Sequence, residues 1–201
     1  MRVQTKYIFT VFVFLIAAAA CIAGISSFLL WKGESNDDIS KDMKHQSVAV
    51  RDELKYFPIA KQYIDQIIYE DTYGAGRASG SHVGCDLMDL KNEAGRIPIV
   101  SATDGCVTNL GWLYLGGYRI GITSKSGIYY YYAHLDSYAE NMCVGKDVKA
   151  GELLGFMGNT GEGEEGTKDQ FDVHLHFGIY IKGNGSEETV NPYPYLKEIE
   201  H

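Results

Sequence analysis

Residues 97–134 read IPIVSATDGCVTNLGWLYLGGYRIGITSKSGIYYYYAH, in which short runs of β-branched and aromatic residues alternate with glycine-containing breaks. The runs favour strands, because branched and aromatic side chains fit a pleated surface. The breaks favour tight turns, because glycine adopts backbone angles that other residues avoid. They lie at Asp104-Gly105, Gly116-Gly117 and Lys125-Ser126-Gly127. Strands joined by such turns pair as antiparallel hairpins, so the stretch predicts an antiparallel sheet.

Similar patterns on both sides of this stretch extend the sheet. Upstream, Arg51–Glu70 predicts a short extended piece and one short helix, and His82–Leu90 (HVGCDLMDL) predicts a strand. Downstream, Val148–Met157 predicts a pair of strands around Gly151, and Val173–Lys182 (VHLHFGIYIK) alternates like a half-buried strand. The predicted fold class is therefore mainly β, an antiparallel sheet or sandwich.

An apolar segment without a charged residue, Tyr7–Leu30, lies near the N-terminus. As a helix it would be roughly 36 Å long, enough for a bilayer core of about 30 Å. The basic residues before it predict that residues 1–6 stay in the cytoplasm. Residues 31–50 are polar and predict a linker, and residues 51–201 form the predicted extracytoplasmic domain. The predicted location is the cell membrane, crossed once by a transmembrane helix over residues 7–30.

Two other interpretations of the apolar segment are a cleaved signal peptide ending at residues 18–20 and a lipoprotein signal that uses Cys21. Both predict that the apolar run stops near the cleavage site. Ile22–Leu30 continues the run instead, and this favours an uncleaved anchor.

Charge and cysteine content narrow the classes of partner. The formal net charge of -8 argues against nucleic acid, because neutralising phosphates requires a basic surface. Any anionic partner must therefore be held by specific contacts and not by bulk attraction. Cys85, Cys106 and Cys143 lie outside the apolar segment without C-x-x-C spacing, which leaves open one disulfide or three small buried residues.

Four histidines and one aspartate in the β-rich part could form a metal site. His82 and Asp86 are four residues apart, and His174 and His176 are two apart, so on strands each pair would share a face. A catalytic zinc usually takes three protein ligands and leaves one position for water. Asp86 lies in an otherwise apolar run, where a carboxylate is costly to bury unless a cation pairs with it. His134 ends the aromatic strand of the first stretch.

The order of four motifs resembles the lysostaphin-type (LytM-like) zinc endopeptidases. The motifs are H-x-G-x-D at residues 82–86, Y-A-H-L at 132–135, G-x-x-V-x-x-G at 145–151 and H-L-H-F at 174–177. The resemblance covers roughly residues 56–195. It implies the duplicated hybrid motif fold and one zinc ion per chain.

The resemblance also implies roles for individual residues. The implied zinc ligands are His82, Asp86 and His176. His134 and His174 would act on the water and the transition state, without a decision as to which does what. Tyr73 occupies the position of a family aromatic residue, where it would steady the oxyanion or only pack.

The implied function is a membrane-anchored zinc endopeptidase that hydrolyses stem or cross-bridge peptides of bacterial peptidoglycan. No H-E-x-x-H motif supplies a glutamate base, so a histidine near the open metal position would take that role. One alternative is a catalytically silent relative that acts as an interaction module, and another is a zinc carboxypeptidase or amidase. The acidic loop at residues 161–170 is longer than a minimal version, so substrate specificity is not carried over.

Overall fold

Antiparallel strands dominate the computed structural model, which describes residues 48–77, 80–182 and 187–200. The strands are β1 (Ile67–Ile68), β2 (Gly76–Arg77), β3 (Gly80–Ser81), β4 (Cys85–Asp89), β5 (Pro98–Val100), β6 (Gly105–Leu113), β7 (Gly117–Thr123), β8 (Tyr129–Tyr138), β9 (Asp147–Val148), β10 (Leu153–Met157), β11 (His174–Lys182) and β12 (Glu187–Val190). Helical segments cover residues 48–53, a 3-10 helix at Lys61–Gln66 and a C-terminal helix at Tyr193–Ile199.

One large sheet contains ten of these strands, in the order β1-β4-β11-β8-β7-β6-β9, with β12 on β11 and with β10 between β5 and β8. Strands β2 and β3 form a separate two-stranded hairpin. Every pair is antiparallel, so the predicted mainly β antiparallel fold is confirmed. Strand β11 lies between β4 and β8 and pairs with both.

The sheet has one face in the core and one face lined by polar and aromatic side chains. On β11, Leu175, Phe177 and Ile179 are fully buried in the hydrophobic core. Successive residues of a strand point to opposite faces, so the residues between them face the other side. Tyr131 and Tyr180 confirm this, because their rings meet at 6.1 Å on that second face.

The structure differs from several predicted boundaries. Strand β4 begins at Cys85, so His82 lies outside it, and the predicted strand over His82–Leu90 is too long. Strand β8 continues past the predicted end to Tyr138. Strands β9 and β10 are not partners of each other, because β9 pairs with β6 while β10 pairs with β5 and β8.

The predicted cytoplasmic tail, the apolar segment and most of the linker lie outside the described residues. The transmembrane anchor over residues 7–30 and the membrane location therefore stay predictions. Within the described ranges, none of the helices is long and apolar enough to cross a membrane. The described residues lie in a compact unit that spans His45–His201. In it, Cys85, Cys106 and Cys143 are free thiols.

Candidate metal centre

Asp86 and His176 lie directly opposite each other on the neighbouring strands β4 and β11. Directly opposed residues of an antiparallel pair project from the same face at short range. His176 Nδ1 is 2.9 Å from Asp86 Oδ1. The strand register, which joins residues far apart in sequence, therefore creates the centre of the site.

His82 reaches the same place from the segment that precedes β4. Its backbone is fixed by hydrogen bonds, with His82 N donating to Ala75 O at 2.9 Å and Gly74 N donating to His82 O at 2.8 Å. Its Nε2 is 3.1 Å from Asp86 Oδ1 and 3.1 Å from His176 Nδ1. The prediction that strand geometry places His82 and Asp86 on one face is wrong. His82 lies before β4, and a hydrogen-bonded loop brings it to Asp86.

These three donor atoms fit a zinc ion. His82 Nε2, Asp86 Oδ1 and His176 Nδ1 are separated by 2.9 to 3.1 Å, and the three residues form a group that could hold a metal. Zinc bonds of 2.0–2.1 Å in a tetrahedron give ligand separations of about 3.3 Å. Two imidazoles and one carboxylate are also a donor set that zinc accepts.

The hydrogen bonds of His82 and the ionisation of Asp86 suit metal binding. His82 Nδ1 donates to Thr72 O at 3.1 Å, which leaves Nε2, the atom that faces Asp86, as the metal-donor atom. Burial alone would raise the pKa of Asp86, but hydrogen bonds with His176 and His82 outweigh it and hold the pKa well below its usual value. The carboxylate is therefore ionised, as a metal ligand must be.

His134 joins the site through a bulge in β8. Tyr118 of β7 pairs with Leu135, but Ile120 pairs with Tyr132, so β8 contains one extra residue between them. His134 lies in this bulge with φ 62, the left-handed region that few residues other than glycine adopt. A regular strand would put His134 on the core face of Tyr132, and the bulge turns it to the opposite face.

The rings of His134 and His174 lie side by side, with centroids 4.6 Å apart. His134 Nδ1 donates to Thr160 O and His174 Nδ1 donates to Asp172 O, each at 2.7 Å. A carbonyl only accepts hydrogen bonds, so each ring carries its proton on Nδ1 and presents an unprotonated Nε2. His174 Nε2 is buried without a hydrogen-bond partner among the described residues and lies 3.9 Å from Asp86 Oδ1.

Burial shifts the pKa of both rings downward. Desolvation and, to a smaller extent, the neighbouring His174 lower the pKa of His134 to about 3. Desolvation also lowers the pKa of His174, and Asp86 only partly offsets it. Both rings are therefore uncharged at neutral pH.

Further residues complete the site without a signal in the sequence pattern. The Phe171 ring packs edge-on against His134 and His174, with centroids at 4.7 and 5.2 Å. The Tyr73 hydroxyl bonds to Thr189 Oγ1 at 2.6 Å and donates to Thr189 O at 3.0 Å. The two roles predicted for Tyr73, oxyanion contact or packing, both stay predictions. Tyr131 lines the cleft, and its ring meets that of His176 at 6.0 Å.

The cleft at the histidines is lined by residues of the β2–β3 hairpin, the β6–β7 turn and the acidic loop. Its charged lining side chains include Arg77 and Glu162. Arg77 Nη2 donates to Asp86 Oδ2, the oxygen that does not face the imidazoles. The other lining residues, apart from the histidines, are uncharged: Ser81, Val83, Tyr114, Leu115, Gly116, Tyr131 and Tyr180.

Gly84 lies against the His176 ring, and no side chain fits there. A Cβ on Gly84 would be 2.5 Å from His176 Cε1 and 2.8 Å from Phe177 O. Gly84→Ala is therefore expected to displace the ring and weaken zinc binding by about tenfold or more, since small ligand displacements are costly. Zinc affinity is measured by competition with a chromophoric chelator.

Gly76→Ala is the matched control, because a Cβ on Gly76 would meet nothing within 4 Å. It should bind zinc as the wild type does. Unchanged zinc affinity in Gly84→Ala would show that the His176 ring does not need its present position.

Comparison with known proteins gives consistent matches. Residues 80–192, more than half of the 201-residue chain, match the model of Peptidase family M23. The L-Ala–D-Glu endopeptidase of Bacillus subtilis is 35% identical over 135 residues, which are 66% of this chain and 40% of that protein. This chain therefore spans well under half the length of that curated relative.

Solved structures agree with the fold. A LytM-type protein of Ruminococcus gnavus, assigned as a glycyl-glycine endopeptidase, gives a TM-score of 0.71 at 51% identity, over 77% of this chain and 64% of that chain. The catalytic domain of lysostaphin from Staphylococcus simulans gives a TM-score of 0.53 at 29% identity, over 69% of this chain and 98% of that domain. The chain thus has the mainly β fold of the lysostaphin and LytM structures.

Proposed function

Since this chain belongs to peptidase family M23, we propose that it is a zinc metalloendopeptidase that hydrolyses peptide bonds in bacterial peptidoglycan. Membership in this family confirms the resemblance predicted from the order of the four motifs. One observation carries the proposal. Three metal-donor atoms within about 3 Å of one another lie beside two further imidazoles that each present an unprotonated Nε2.

The proposed ligands are His82, Asp86 and His176, through the three donor atoms described above, with one zinc per chain. When bound, zinc polarises the scissile carbonyl and lowers the pKa of a bound water to about 7. Its ligands are held by groups of the chain, since Thr72 fixes the His82 ring and Arg77 takes the second oxygen of Asp86. Such supporting contacts orient a metal site.

His134 and His174 are the proposed catalytic histidines. One Nε2 takes a proton from the attacking water, and a protonated Nε2 then gives a proton to the leaving amine or donates to the developing oxyanion. The carbonyls of Thr160 and Asp172 hold both rings in the tautomer that leaves Nε2 unprotonated. They also stabilise each ring once it is protonated to an imidazolium. Burial keeps both rings neutral until they accept a proton.

The proposed substrates are peptide bonds in stem or cross-bridge peptides. The B. subtilis relative is named for the L-Ala–D-Glu bond, and the R. gnavus protein for the glycyl-glycine bond. Both bonds are therefore candidates here. The proposed transmembrane anchor would place the site next to the wall on the outside of the cell.

The test uses the full-length chain, kept in mild detergent. We expect about one zinc per chain and release of cleaved muropeptides from purified walls, both abolished by a strong chelator and restored by added zinc. A chain that binds no stoichiometric zinc would overturn the proposal at its first step. Stoichiometric zinc without cleavage of any wall type would instead support the silent interaction module.

A further inference from the structure

Arg77 lies at the edge of the cleft, and its position is fixed by the proposed zinc ligand Asp86. The two oxygens of that carboxylate are divided between partners. Oδ1 faces the imidazoles of His82 and His176, and Oδ2 accepts a hydrogen bond from Arg77 Nη2. The guanidinium is therefore separated from the proposed metal position by a single carboxylate group.

Among the described residues, the Arg77 side chain is hydrogen-bonded to Asp86 alone, which leaves most of its donors available to another partner. A guanidinium has several N–H donors in one plane, and a bond to one oxygen uses only one of them. The side chain of Arg77 is 42% exposed and lines the cleft, whereas that of Asp86 is 12% exposed. A planar fork of donors on this kind of surface matches the geometry of a second carboxylate.

Arg77 differs in charge from the other residues that line the cleft. Among the described lining residues, the other charged side chain apart from the histidines is Glu162 of the acidic loop. The whole chain is acidic, with a formal net charge of -8, so bulk attraction cannot hold an anionic group in the cleft. Besides the proposed zinc ion, Arg77 is the positively charged group among the described lining residues, apart from the histidines, that could pair with a substrate carboxylate.

We propose that Arg77 forms a carboxylate-binding subsite, and that the preferred substrate carries a free carboxylate on the residue next to the scissile bond. This inference rests on the proposed function of the same site. A glutamyl residue linked through its side chain keeps its α-carboxylate free and meets this requirement. A glycyl-glycyl bridge has no such group and leaves the guanidinium without a substrate partner.

The test compares two peptides that differ in one group. Both contain an alanyl–D-glutamyl bond, and in both the glutamyl residue continues through its γ-carboxyl group. The α-position of that residue carries a free carboxylate in one peptide and a carboxamide in the other. For the full-length zinc-loaded wild type, we expect kcat/KM to be about tenfold higher for the carboxylate peptide. Arg77→Met should remove this preference, mainly through KM, because the contact serves substrate binding. Arg77→Lys, which keeps the charge but loses the planar fork, should retain part of it.

A matched control and a measurement of binding separate this subsite from a structural effect. Lys149→Met makes the same change of charge on an exposed residue that lines a different groove, and it should keep the full preference. Zinc content and thermal unfolding of Arg77→Met show whether Asp86 still holds its place. Binding of each peptide to the zinc-free protein, followed by NMR chemical-shift changes, should show the same preference without turnover.

Two results would overturn the inference: equal binding of both peptides by the wild type, or an unchanged preference in Arg77→Met. Loss of zinc in Arg77→Met with preserved peptide preference would assign Arg77 to holding Asp86 alone. A wild type that binds the carboxylate peptide selectively but cuts neither peptide would leave the subsite standing and remove the proposed activity.

Discussion

His176→Ala is expected to abolish stoichiometric zinc binding and to lower kcat/KM on wall peptides by about 10³-fold or more, because the metal supplies several kcal/mol of transition-state stabilisation. His176 provides one of the three proposed donor atoms and lies on the central strand β11, directly opposite Asp86. The two remaining donors, His82 Nε2 and Asp86 Oδ1, cannot enclose the ion. Zinc per chain is measured after dialysis, together with release of muropeptides.

Folding of His176→Ala is judged against the wild type stripped of zinc. Since neither protein then holds a metal, the two should give the same far-UV circular dichroism and similar unfolding temperatures. A lower unfolding temperature for the variant would point to lost packing of the ring on Gly84. One zinc per chain in the variant would contradict the proposed ligand set.

The hairpins were predictable because their signal is local. Branched and aromatic runs with glycine turns at fixed positions specify antiparallel pairing between neighbours, and β6, β7 and β8 pair in that way. The register between β4 and β11 is different. It sets Asp86 opposite His176 across 90 positions of sequence, and a local pattern contains no information about such a pairing. The order of motifs, carried over from a family, supplied that link.

Side-chain direction was harder to predict than strand location. Alternation along β11 correctly places His174 and His176 on one face, opposite the buried Leu175. The same rule applied to β8 would have put His134 in the core beside Tyr132. The bulge overrides it, and a bulge depends on a positive φ that nothing in Y-A-H-L indicates.

Arg77 illustrates a second limit. An arginine nine positions before Asp86 has no periodic relation to it, so the sequence gives no reason to connect the two. The β2–β3 hairpin turns the chain back over the site and brings the guanidinium to Asp86 Oδ2. Residues that support a metal ligand through such loops are found from the folded chain, because their contacts follow from turn geometry and not from strand or helix spacing.

His134→Ala is expected to keep one zinc per chain and to lower kcat by about 10² to 10⁴-fold, the usual contribution of a positioned acid–base group. Its ring makes no bond to the three donor atoms, and its Nδ1 is committed to Thr160 O. KM should change little, because proton transfer is made only in the transition state. Turnover of defined peptides and zinc content are measured on the same preparation.

Backbone strain is the competing explanation for a loss of activity, because His134 has φ 62 and alanine disfavours that region. His134→Asn separates the two effects, since asparagine adopts left-handed backbone angles more readily and fills part of the same space. If the imidazole is the acid–base group, both variants lose turnover to a similar extent and both keep the metal. Recovery of activity in His134→Asn would assign the loss to the bulge, and loss of zinc in both would move His134 into the ligand set. In that last case the bulge in β8 would bring a metal ligand to the site and not an acid–base group, because the bulge alone turns residue 134 toward the donor atoms.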